Sequence, residues 1–94
     1  MEFEMTEMNL EEYKSKIVTN VYRISTESNV KFHKHPKHDE IFYCVKGSGF
    51  GVLENEVTEL SVGKEFIVPA GRMHSLKTDD NLYVASFLLP LLEE

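Results

Sequence analysis

Ninety-four residues with a formal net charge of −6 predict one domain, 1–94, whose modest core would profit from a metal, a partner subunit or a disulfide. The single cysteine, Cys44, excludes a disulfide within the chain, and a lone thiol without a secretory signal points to a reducing, cytoplasmic setting. Lysines scattered from Lys14 to Lys77 form no basic stripe, which argues against nucleic acid, and the longest apolar run, FLLPLL, is cut by Pro90 and too short to span a bilayer.

The first residues, MEFEMTEMNLEEY, alternate acids with apolar side chains and have neither the basic nor the apolar region of a leader. Asn9 followed by LEEYKSK predicts one short helix, with a capping side chain, Glu11 and Glu12 in the first turn and lysines at the end. From Val18 the period changes to that of a strand. Val18, Val21, Tyr22 and Ile24 lie in a β-prone run that ends at the turn cluster STESN. Then come VKFHKH, EIFYCV, GFGVLE, VTEL, EFIVP, HSLKT and LYVASFLL, separated by HPKHD, KGSG, ENE, SVGK, PAGR and TDDN. Seven or eight short strands with regular turns predict an all-β sandwich or barrel.

Strand parity sorts the side chains. Phe42 and Cys44 share the parity of Glu40 and are read as core, while Tyr43 faces outward. Leu76 and Thr78 follow His74 on its face. On the last strand Tyr83, Ala85 and Phe87 take one side, and Val84, Ser86 and Leu88 the other. Either Phe50 and Val52 or Gly49 and Gly51 point inward, a register the pattern leaves open.

Three of the four histidines fall within HKHPKH. His33 and His35 are two apart on a predicted strand and point to one side. Pro36 ends that strand and opens the turn Pro36-Lys37-His38-Asp39, after which Glu40 starts the next. Such a hairpin can bring Glu40 back beside both imidazoles, a donor set suited to iron, manganese, nickel, copper or zinc. A fourth ligand has to come from far along the chain, and His74, after PAGRM, is the histidine left. An isolated His-x-His pair is more often a surface feature, so a polar turn stands as the alternative at this point.

The full spacing separates the two readings. His33-x-His35, four residues, Glu40, six residues and Gly47 resemble the first motif of the cupin superfamily. Gly63, five residues, Pro69-x-Gly71, two residues and His74 resemble the second, after an intermotif segment of 15 residues. Glu27 stands where the first motif usually begins with glycine, and Thr78 where the second usually ends with asparagine. The resemblance implies a small jelly-roll β-barrel, a double-stranded β-helix, with His33, His35, Glu40 and His74 lining its interior around one divalent metal.

A metal held by those four groups keeps one or two positions open, the mark of a catalytic site. The resemblance implies metal-dependent oxygenase or isomerase chemistry on a small organic molecule, the metal polarising substrate oxygens and Glu40 acting as proton acceptor if it swings off the metal. The competing readings are a sensing module that binds a small ligand without chemistry and a metal-free epimerase-like enzyme. His38 is read as a rim or surface residue, and Arg72 as a solvated arginine with a substrate carboxylate as its alternative partner. The resemblance also implies a two-fold homodimer. Val18, Tyr22, Tyr43 or Val45, and Leu88, Leu89, Leu91 and Leu92 are its expected interface.

Overall fold

A computed structural model of the chain describes residues 10–27 and 30–92. Asn9, expected to cap the helix, and Ser28 and Asn29 of the STESN turn lie outside the described residues. Helix α1 spans Leu10–Ser15. Six residues are too few for an autonomous helix, and the Tyr13 hydroxyl ties it to the body by donating to the Pro90 carbonyl at 3.0 Å.

The strands are β1 (Val18–Ser25), β2 (Val30–His33), β3 (His38–Leu53), β4 (Glu56–Ser61), β5 (Glu65–Val68), β6 (His74–Lys77) and β7 (Asn81–Pro90). All pairings are antiparallel, along the path β1-β7-β3-β6-β2, with β4 and β5 also on β3. The first half of β3 pairs with β7 and β5, the second half with β4 and β6. One long strand thus serves both walls and curls the sheet around a core that includes Phe42, Leu60, Phe66, Leu76 and Val84.

Three local expectations are corrected. EIFYCV and GFGVLE are not two strands, since KGSG does not break the chain. Gly47 instead takes φ +80° beside a register shift between Cys44 and Lys46, so the strand bends and stays paired. A Cβ at that position would run into the Asn81 carbonyl. His38 belongs to β3 and not to the preceding turn, so Glu40 is the third residue of its strand. His35 has left the strand that ends at His33.

The open register is resolved in favour of the glycines. Gly49 and Gly51 face inward with Leu53, while Phe50 and Val52 are only half-buried. Glycine is required at 51 because any side chain would occupy the place of the Phe66 ring. Glu27 needs no glycine, since among the described residues no other residue type has positive φ. Thr78 does the work of a turn asparagine: its hydroxyl donates to the Ser48 carbonyl at 2.7 Å and accepts from the Asp80 N–H at 3.1 Å.

Candidate metal centre

His33 ends β2 and stands directly across from His74, the first residue of β6. In this way pairing of two short strands brings together residues 41 positions apart in sequence. His35 lies in the following coil, and Glu40 enters from β3 on the other side. One donor atom from each of the four lies within 4.8 Å of the others. The His33 and His74 rings have centroids 4.2 Å apart, and that of His35 is 5.0 and 5.6 Å from them.

Glu40 Oε1 is 3.0 Å from His74 Nε2 and 3.3 Å from His35 Nε2. Two ligands held about 2.1 Å from one metal at right angles stand about 3.0 Å apart, so these spacings fit a shared ion. The tautomer agrees. A carbonyl can only accept, so His74 Nδ1–H donates to the Arg72 carbonyl at 3.1 Å, which frees the Nε2 lone pair toward the common point. His74 is fully buried and Glu40 is 4% exposed.

Burial pushes the Glu40 carboxyl up, but the close His74 ring, the hydrogen bond from Ser86 and the nearby His35 imidazole outweigh it, leaving the carboxyl below the ordinary range. It is a carboxylate at neutral pH. The His35 imidazole is lowered, first by burial; the Glu40 charge opposes this, and the other three histidines reinforce it. A neutral ring has a lone pair to give to a metal.

Two contacts fix the framework. The Ser86 hydroxyl donates to Glu40 Oε2 at 2.6 Å, leaving Oε1 for the histidine side. Asp39 accepts from the Ala70 N–H at 2.8 Å, and the Gly71 N–H donates to the His35 carbonyl at 2.9 Å, so the turn leading to His74 is bound to both ends of the His35–Glu40 segment. Gly71, at φ +83°, makes that turn possible.

The sequence reading did not assign a role to Ser86 at the site. Its signal was a hydroxyl on the parity of Val84, a face that otherwise reads as core. His38 is not among the four converging residues. The Arg72 guanidinium donates to Asn55 Oδ1 at 3.5 Å, and only its carbonyl serves the site. Cys44 is fully buried beneath, as its parity predicted.

Above the donors opens a cavity of about 230 Å³ lined by Tyr22, His33, His35, Glu40, Phe42 and Leu88. Two of these correct the expected interface. Leu88 pairs with Glu40, and Tyr22 with Val84, and directly paired residues face the same way. Both therefore look into the barrel.

Over residues 21–89 the chain matches the family described as Cupin domain (Cupin_2). Similar solved structures include a predicted oxalate decarboxylase from Thermotoga maritima, at 21% identity over 89% of this chain and 76% of that one, with a TM-score of 0.75. KdgF from Halomonas sp. shares 26% identity over 81% and 71%, with a TM-score of 0.70. An RmlC-like cupin from Shewanella frigidimarina shares 18% over 82% and 68%, with a TM-score of 0.71. The search of curated proteins found no match. These likenesses fit the curled sheet to a jelly roll.

Proposed function

The chain belongs to the cupin family, and from that premise we propose that it binds one divalent transition metal through His33, His35, Glu40 and His74 and acts on a small organic molecule there. The convergence of three imidazoles and a carboxylate on one point, at spacings that suit shared ligation, carries this reading. The bound metal would supply Lewis acidity and open positions for substrate oxygens.

The protein's own groups do the rest. His74 and Glu40 are held from behind by the Arg72 carbonyl and Ser86, so neither has to reorganise when the ion arrives. Glu40, a carboxylate lining the cavity, accepts a proton from bound substrate if it swings off the ion. Phe42 and Leu88 keep water from one side of the pocket. A cytoplasmic location and a homodimer belong to the same proposal, the first supported by a single, buried thiol and the second by an apolar outer sheet face.

The test is elemental analysis of protein expressed with iron, manganese, nickel and zinc supplied. About one ion per chain is expected, with His74→Ala losing most of it and His38→Ala retaining it. Absence of metal under every supplementation would overturn the assignment, as would a full complement in His74→Ala. Turnover separates an enzyme from a sensing module, which returns its ligand unchanged.

A further inference from the structure

The cavity has two chemically distinct parts. At one end stand the four donor groups. The remaining wall is Phe42, Leu88 and Tyr22, set there by the sheet register: Leu88 directly beside Glu40, Phe42 beside Ser86, and Tyr22 beside Val84. The Phe42 ring centroid is 5.9 Å from that of His74, so the apolar wall begins at the donors themselves. Among the described residues, no lysine or arginine lines the cavity. Arg72 is engaged with Asn55, and Arg23 with Asn81.

Charge then selects the head of the ligand and the wall selects its tail. A divalent ion and one carboxylate, Glu40, leave a net single positive charge among neutral imidazoles, which a single anionic head offsets. A second carboxylate or a phosphate farther out would lie against Phe42 and Leu88 with no cation to meet it, at a desolvation cost. The cavity, about 230 Å³, is smaller than the roughly 300 Å³ at which sites for drug-sized ligands begin. We propose that the site takes a small monoanionic chelator, a 2-oxo or 2-hydroxy monocarboxylate with a short apolar tail, whose two oxygens reach the metal and whose tail packs on Phe42, Leu88 and Tyr22. This rests on the metal reading above and adds the substrate class to it.

The test uses cobalt-loaded protein, titrated with 4-methyl-2-oxopentanoate, pyruvate and 2-oxoglutarate by calorimetry and by the visible absorption of the cobalt. Each buried methylene strengthens binding roughly fourfold, so the three extra carbons of 4-methyl-2-oxopentanoate predict roughly 10- to 60-fold tighter binding than pyruvate. 2-Oxoglutarate should bind more weakly than 4-methyl-2-oxopentanoate by at least about tenfold. Leu88→Ala should remove most of the preference for the branched tail at unchanged cobalt content. Tyr22→Arg, at a position 43% exposed and so tolerant of a charge, should shift the preference toward 2-oxoglutarate. Equal or tighter binding of 2-oxoglutarate by the unmodified protein overturns the proposal, as does no binding of any probe by cobalt-loaded protein. Failure to take up cobalt would overturn the metal reading instead, and this inference with it.

Discussion

Replacing Ser86 by alanine tests whether the carboxylate of the site is held in place or merely present. The Ser86 hydroxyl lies 2.6 Å from Glu40 Oε2, the short spacing of a hydrogen bond to an ionised acceptor. Ser86 is fully buried on the side of Glu40 away from the histidines, so bulk water does not readily take the place of the lost donor. Hydrogen bonds to charged groups contribute about 1.5–3 kcal/mol, which at about 1.4 kcal/mol per decade is a 10- to 100-fold change in an equilibrium constant. The same range is typical when an outer partner of a metal ligand is removed. Ser86→Ala should therefore weaken zinc or cobalt binding 10- to 100-fold at pH 7, measured by competition with a chromophoric chelator. It should also raise the Glu40 carboxyl, since the Ser86 bond is one of the interactions that lower it. Ser75→Ala provides the control, another buried hydroxyl, which lies on β6 across from Val52 and not from Glu40. Equal loss in both variants, or unchanged affinity in Ser86→Ala with only a lower melting temperature, would refute the reasoning and leave Ser86 a purely structural residue.

Burial raises the Cys44 thiol, and only the thiolate reacts, so a disulfide reagent at pH 8 should label the native protein far more slowly than the denatured chain. Equal rates would overturn the core assignment. In the metal-free protein, His35 is held below the ordinary imidazole range, so the unfolded chain takes up its proton first as pH falls. The resulting stability is complete above about pH 6.5 and lost below it. Melting temperature should fall from pH 7 to 5, with a shallower slope in His35→Gln, and an identical slope would count against it. Light scattering should give twice the chain mass of 10.9 kDa, with a shift toward monomer in Val21→Glu and Tyr43→Glu. A native monomer would refute self-association, and a dimer indifferent to both variants would place the interface elsewhere.

The exposed apolar face of the sheet shows what parity can and cannot deliver from sequence. Val18, Tyr22 and Tyr43 all belong to the interface expected from the sequence, with a parity argument for Tyr43 alone. The pairings Tyr43 with Ala85 and Ala85 with Val21 put Val21 on the face of Tyr43 and turn Val18 and Tyr22 to the other side. Ile67, Ile41 and Phe87 form the next row across β5, β3 and β7. Inter-strand register decided the matter, and a one-residue shift reverses every side chain. Val21, at 73% exposure, is the residue that the corrected register adds.

The convergence of His33, His35, Glu40 and His74 was legible for the opposite reason: their spacing is fixed along the chain by turns that need particular residues. Pro36 ends the first histidine segment, and Gly71, at φ +83°, permits the turn before His74. Ser86 and Leu88 carry no such mark. They reach Glu40 because β7 lies beside β3, a neighbour 46 residues away in sequence in the case of Ser86, and a serine or leucine in a β-run looks the same whether it faces a metal site or a core. The four-residue cluster is thus written in local motifs, whereas the groups that bond the carboxylate and line the cavity beside it are written in strand order. Chains with the same two motifs but a different residue at 86 or 88 should therefore keep the metal and differ in affinity and substrate.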